Sequence, residues 1–177
     1  FRCSSAAEVP DVLCSPNYCI IVTVQHRHPG DHRRLERGLW YMANGESDRN
    51  TILVVDDERD VVLATRIFLE AEGYNVLEAF DGLEALRVLK TVQPDLIMLD
   101  VRMPRLNGWK TLEAIQADEK LQNIPVLMLT SMNDPGHMAT GINLGCTWYY
   151  TKPVTDYADL ALVVRRILES VQLPPST

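Results

Sequence analysis

Five polar residues in this chain stand at the ends of apolar runs, and their types together suit phosphoryl chemistry. Asp56 and Asp57 follow Ile52-Leu-Val-Val55, Asp100 follows Leu96-Ile-Met-Leu99, Thr130 follows Pro125-Val-Leu-Met-Leu129, and Lys152 follows Trp148-Tyr-Tyr-Thr151. Three carboxylates gathered in one place repel one another unless a cation joins them. Oxygen-only ligands select a hard ion such as Mg²⁺, which keeps several waters and shares its remaining positions with a phosphoryl group. A lysine neutralises phosphoryl oxygens as a point charge, and the Thr130 hydroxyl can donate to one. Asp100 is then a carboxylate nucleophile able to form an aspartyl phosphate. Taken singly, each residue has a blander role: Asp56, Asp57 or Asp100 as a helix cap, Thr130 as a loop hydroxyl, Lys152 as a solvated charge. Their joint placement at four run ends is what carries the reading.

Bringing them together requires parallel strands, because the C-terminal ends of such strands open on one crevice. Leu96 to Leu99 is too short for a buried helix, is bounded by polar residues, and reads as a strand buried on both faces. It delivers Asp100 to the lip of the sheet, and the turn through Met103-Pro104 separates Asp100 from the helix that begins near Gly108. Around it the pattern alternates. Ile52–Val55 is a strand, and the helix after it runs through Val61, Ala64, Ile67, Phe68 and Ala71 to a glycine stop at Gly73. Asn75–Ala79 is a more polar, edge-like strand. Asp81, with Glu84 three residues on, caps a helix that turns Ala85, Leu86 and Leu89 inward. A third helix spans about Gly108 to Asp118, with Leu112 and Ile115 inward. Asp134-Pro135 opens a fourth, weakened by Gly136 and Gly141. The last runs from Thr155 to about Ser170 and buries Leu160, Val164 and Ile167. Five strand–helix repeats with short connections predict an α/β domain, a doubly wound five-stranded parallel sheet with helices on both faces.

Composition sets the remaining bounds. Hydrophobic residues make up 46% of the chain and charged residues 23%, as expected of a soluble globular protein. No apolar run approaches the ~20 residues of a membrane span, so no membrane association is expected. Residues 1–49 balance six Arg against six acids, so the whole net charge of −7 falls after residue 49. An acidic domain argues against direct nucleic-acid binding, which normally shows a basic patch. Of the cysteines, Cys3, Cys14 and Cys19 lie early and Cys146 stands alone later, which suits a reducing, cytoplasmic setting.

Residues 1–49 read differently from the rest. Tyr18–Val24 could be a strand, followed by His26, His28 and His32 among several Arg. Zinc is disfavoured, since Cys14 and Cys19 lack the close Cys-x-x-Cys spacing. No signal-peptide pattern is present. The reading is an extension of little structure, with the natural start near Met42.

From Thr51 to about Val171 the chain resembles the receiver domain of bacterial response regulators, the CheY-like family of two-component signalling. The resemblance is carried by Ile52-Leu-Val-Val-Asp-Asp-Glu58, Leu99-Asp-Val-Arg-Met-Pro104 with Gly108, Leu129-Thr-Ser131 and Tyr150-Thr-Lys-Pro153. It implies a flavodoxin-like sheet of order 2-1-3-4-5, with Asp100 as phosphoacceptor. It also implies Mg²⁺ held by Asp57, Asp100 and the Arg102 carbonyl, with Asp56 assisting. Thr130 and Lys152 would hold the phosphoryl group, the Lys152-Pro153 bond would be cis, and Tyr149 would be an aromatic switch. Phosphorylation would then reshape the face of the fourth helix, fifth strand and fifth helix. The implied donor is a histidine kinase or phosphotransfer protein, and the domain would not be a turnover enzyme. The chain divides into an extension over 1–49, a receiver over 50–171 and a tail or linker stub over 172–177.

Departures from the family pattern are few. Arg105 stands where Gly is common, and Cys146 where Ala is. Trp148 precedes two tyrosines, and this aromatic run suggests a partner surface. Ala161, Leu162 and Leu168 could form an apolar edge on the last helix, compatible with a homodimer. Competing readings are a flavodoxin-like small-molecule binder and a phosphorylation-independent docking module. The first is disfavoured because the opening strand runs into acids rather than a phosphate loop. An Asp-nucleophile phosphatase would need a second acid where Arg102 stands.

Overall fold

The computed structural model describes residues 12–14, 18–21, 49–131 and 148–172. Its centre is strand β5 (Leu96–Asp100), every residue of which is buried. On one side β5 pairs in parallel with β3 (Thr51–Val55), and β3 pairs with β4 (Asn75–Ala79). On the other side it pairs with β6 (Val126–Ser131), which pairs with β7 (Trp148–Lys152). Along the sheet these five parallel strands run β4-β3-β5-β6-β7, the expected 2-1-3-4-5 order when counted from β3.

Two further strands extend the sheet. β1 (Val12–Cys14) and β2 (Tyr18–Ile21) pair antiparallel, and β2 lies antiparallel to β7 with Tyr18 opposite Tyr150 and Cys19 opposite Tyr149. The sheet therefore has seven strands. Where the sequence suggests an extension of little structure, this backbone pairing occupies the free edge of β7, since an unpaired edge offers a row of unsatisfied N–H and C=O groups. His26, His28, His32 and Met42 lie outside the described residues.

Helices α1 (Arg59–Ala71), α2 (Gly82–Leu89), α3 (Gly108–Ala117) and α4 (Tyr157–Gln172) cover both faces. One core layer joins Leu53, Val55, Leu99 and Met128 to Ala85, Leu89, Leu112 and Ile115 of α2 and α3. The other joins Ile52, Val54, Met98 and Leu127 to Val62 and Leu69 of α1 and Leu160, Val164 and Ile167 of α4. Alternate residues of each strand thus feed opposite layers, as the period of two requires. The helix expected after Asp134-Pro135 and the residues 173–177 lie outside the described residues.

Two local expectations are corrected, and the tertiary structure settles which face of α1 is buried. The buried stripe of α1 is Val62, Thr65 and Leu69, whereas Ile67 is 58% exposed. Two stripes three to four residues apart are both available in that sequence, and docking on the sheet selects between them. The aromatic run is not a free surface. Tyr149 packs in one core layer, while Tyr150 packs in the other with Trp148 half-buried against it, because neighbouring strand residues face opposite covered sides. On α4, Ala161 and Leu168 are buried and Leu162 alone of the three is exposed, so no continuous apolar edge forms there.

Candidate functional site

Each site residue owes its place to the strand that carries it. Asp100 closes β5, and the chain leaves the sheet at once: Val101 N–H donates to Leu129 O at 3.1 Å and Gly108 N–H to Val101 O at 3.0 Å. A Cβ on Gly108 would lie 2.2 Å from Asp100 O, so the start of α3 reaches this close because the residue has no side chain. Asp56 and Asp57 leave β3 with opposite environments, Asp56 buried and Asp57 exposed. Neither caps α1: Asp56 Oδ1 accepts from Glu58 N–H at 3.0 Å, and the N-cap of α1 is Glu58, with no side-chain cap.

The three carboxylates converge. One oxygen from each of Asp56, Asp57 and Asp100 falls within 4.8 Å of the others. Lys152, from the end of β7, reaches into the same space with Nζ 2.6 Å from Asp56 Oδ2, 3.1 Å from Asp100 Oδ1 and 3.9 Å from Glu58 Oε1. Asp100 Oδ2 accepts from Arg102 N–H at 3.2 Å. Thr130 sits one position beyond Leu129, the register partner of Asp100, is half-buried, and donates to Ser131 O at 3.4 Å. The Lys152–Pro153 bond is cis. Tyr149 is 4% exposed and already inward.

Charge in this cluster is unbalanced. Burial raises the Asp100 carboxyl above its ordinary value, Lys152 pulls it back, and Asp56 raises it again, leaving a net upward shift. Burial alone would lower the Lys152 ammonium, but its ion pairs with Asp56 and Asp100 outweigh that and raise it. One lysine thus faces three carboxylates. An all-oxygen donor set with surplus negative charge and one exposed member fits a hard divalent cation that retains water. Among the described residues, this is the group of acids whose oxygens lie close enough together to share a metal ion. A shallow cavity of about 460 Å³ opens beside it, lined by Asp57, Arg102, Met103, Pro104, Asn107 and Trp109.

A profile of the response regulator receiver domain matches residues 52–165. The chain belongs to this family. The receiver domain is 43% identical over 102 residues to the alkaline phosphatase synthesis transcriptional regulatory protein PhoP of Bacillus subtilis, covering 58% of this chain and 42% of PhoP. It is 35% identical over 124 residues to the DNA-binding dual master transcriptional regulator RpaA of Synechocystis, covering 70% of this chain and 51% of RpaA. Among solved structures, the signal receiver domain of a histidine kinase from Syntrophus aciditrophicus superposes with a TM-score of 0.66 at 32% identity, covering 72% of this chain and 96% of that one.

The chain spans about half the length of these curated relatives, and this bears on nucleic acid. The acidic balance suggested no direct nucleic-acid binding, and that expectation is corrected: RpaA is by its name DNA-binding, and PhoP and RpaA are both transcriptional regulators. The charge of a receiver domain reports the field around that domain alone. No helix among the described residues is long and apolar enough to cross a membrane.

Two contributors escaped the sequence reading. Glu58 closes the first motif, and its approach to Lys152 at 3.9 Å joins the segment after β3 to the end of β7. Asp81 was recognised as a cap, which it is, accepting from Glu84 N–H at 2.8 Å. Its second oxygen pairs with Arg105, and no local pattern signals that contact.

Proposed function

We propose that this receiver domain is a phosphorylation-dependent switch charged at Asp100 by a histidine kinase or a phosphorelay donor. The observation that supports it best is the position of Lys152 Nζ, 3.1 Å from Asp100 Oδ1 and 2.6 Å from Asp56 Oδ2, beside a cluster of three carboxylates whose oxygens lie within 4.8 Å of one another. A carboxylate oxygen of Asp100 attacks the phosphorus of a phosphohistidine donor, the P–N bond breaks, and the imidazole leaves with the bonding pair and takes up a proton. Lys152 then holds a phosphoryl oxygen by charge and the Thr130 hydroxyl donates to another. Asp57, Asp100 and the Arg102 carbonyl would hold Mg²⁺, with Asp56 assisting, and the ion would neutralise charge on the phosphoryl oxygens. The domain turns over no outside substrate.

Tyr149 is the proposed readout. Its ring is inward in the structure, so phosphorylation acts by shifting the population of a conformation already accessible. The responding face comprises the segment before β7, β7 itself and α4. By likeness to PhoP and RpaA, the output governed is transcription.

The test is the intact mass of the chain after incubation with acetyl phosphate and Mg²⁺, beside Asp100→Asn and a chelator control. One Mg²⁺-dependent phosphoryl adduct, absent from the variant, is expected. An adduct that persists in Asp100→Asn removes Asp100 as acceptor. No adduct despite intact Mg²⁺ binding favours a docking module that works without phosphorylation.

A further inference from the structure

Four of the five parallel strands lead into site residues and the other, β4, does not. We propose that the β4 end is a bracket that holds the two carboxylate-bearing loops in register for a cation, with Phe80 and Asp81 as positioning residues gripped by Arg59 and Arg105. The inference rests on the reading of Asp57, Asp100 and the Arg102 carbonyl as holders of Mg²⁺.

The bracket has two arms. Arg59, in the first turn of α1 just after Asp57 and Glu58, places its guanidinium carbon 4.2 Å from the centroid of the Phe80 ring, a cation–π contact. The backbone reinforces this arm, since Asp56 N–H donates to Ala79 O at 3.2 Å. In the other arm the fully buried Asp81 splits its carboxylate. Oδ1 caps α2 through Glu84 N–H, and Oδ2 pairs with Arg105 in the loop that follows Asp100. Glu84 Oε2 in turn accepts from Phe80 N–H at 2.8 Å, so the two positioning residues are fastened to the same helix start.

The loop gripped by the second arm is held closely. Arg105 has φ 65°, the one positive-φ residue other than glycine among the described residues, a conformation that a side chain adopts at a cost and keeps where its surroundings demand it. Gly82 N–H donates to Leu106 O at 3.3 Å, and a Cβ on Gly82 would lie 2.8 Å from that oxygen. Arg105 is 59% exposed, and an exposed ion pair contributes little by itself. Its partner is fully buried, however, so loss of Arg105 leaves a carboxylate without its counter-charge. The loop must then shift or admit water, and Arg102 moves with it.

Titration calorimetry with Mg²⁺ on the full chain tests the bracket, using Arg105→Ala, Arg105→Lys and Phe80→Leu, with Arg66→Ala as control. Arg66, in α1, pairs with Glu78 of β4 at 3.0 Å, and neither residue belongs to the two loops. Mg²⁺ affinity is expected to fall about tenfold or more in Arg105→Ala and in Phe80→Leu, in the manner of outer-shell substitutions at metal sites. Arg105→Lys should recover most of the loss, Arg66→Ala should change nothing, and all variants should retain a cooperative thermal transition. Hydrogen exchange without metal should quicken at the amides of Arg102 and Gly108 in Arg105→Ala. Unchanged affinity in both Arg105→Ala and Phe80→Leu overturns the bracket and leaves the switch reading standing. An equal loss in Arg66→Ala overturns it as a general effect of stability. Failure of the unaltered chain to bind Mg²⁺ sinks the cation reading and the bracket together.

Discussion

Lys152 Nζ lies closer to Asp56 Oδ2, at 2.6 Å, than to Asp100 Oδ1, at 3.1 Å. The lysine is therefore anchored on Asp56 and leans from there over Asp100, the proposed phosphoacceptor. This arrangement places an ammonium beside Asp100 without cancelling the upward shift of its carboxyl.

Removing the ammonium should expose the repulsion it contains. Lys152→Met leaves three carboxylates facing one another, two of them buried. In chelator the variant should lose about 2–3 kcal/mol, somewhat less than the loss of one partner of a fully buried pair. Saturating Mg²⁺ should raise its Tm by more than it raises that of the unaltered chain. Equal Mg²⁺-induced shifts in thermal melts of the two proteins would count against this account.

Asp100→Asn should stabilise the metal-free protein at neutral pH. The folded-state pKa of Asp100 is raised above the ordinary 3.8, by burial first and Asp56 second against the pull of Lys152. Folding therefore favours its protonated form, and the charged form opposes folding once pH rises through the shifted value. Denaturant midpoints of the two proteins should converge below about pH 4 and separate as pH rises toward 7, with the variant the more stable. A gap that is constant from pH 3 to 7 contradicts the shift.

Tyr150 predicts an effect at the alkaline end. Its hydroxyl is 3.1 Å from Asp156 O and 3.2 Å from Asp159 Oδ2, and burial followed by Asp159 raises its pKa well above the ordinary 10.0. The raised folded value means that this contribution is intact below pH 10 and declines as pH climbs past it. Tyr150→Phe should thus be about 1–2 kcal/mol less stable at pH 8, with a deficit that shrinks between pH 10 and 11. Chemical denaturation across that range measures it, and a deficit independent of pH would falsify the assignment.

Gly108→Ala should damage the site more than a surface change of its size would. The added Cβ meets Asp100 O at 2.2 Å and Val101 Cα at 2.9 Å, both backbone atoms that cannot rotate away. Overpacking of this kind costs typically about 1–3 kcal/mol, and the displaced segment is the one that carries Asp100. Phosphoryl adduct formation should fall even at temperatures where circular dichroism reports a folded chain. A variant that is labelled at the normal rate would mean that α3 can retreat without moving Asp100.

How much of this was legible in the sequence depended on how local each signal was. The burial of Leu96–Leu99, the capping roles of Asp81 and the glycine stop at Gly73 follow from short-range stereochemistry, and each was read correctly. The buried stripe of α1 was open. Val61-Ala64-Ile67 and Val62-Thr65-Leu69 are equally periodic, and contact with β3 and β4 selects the second. The apolar edge of the last helix failed for a similar reason, since Ala161 and Leu168 turn out to be covered.

The sequence by itself determined that five strands end on one side of a sheet and which residues stand at those ends, because strand length, alternation with helices and right-handed crossover leave few other outcomes. It also held the motifs by which the family is recognised. The tertiary structure decided the distances: which carboxylate Lys152 leans on, that Asp57 stays exposed while Asp56 and Asp100 are buried, and that Arg105 reaches Asp81. It likewise decided that Val12–Cys14 and Tyr18–Ile21 extend the sheet beyond β7. These relations join residues far apart in the chain, and no periodicity encodes them. They arise when packing brings separate loops within a few ångströms, where charge and burial are set by neighbours and not by sequence order.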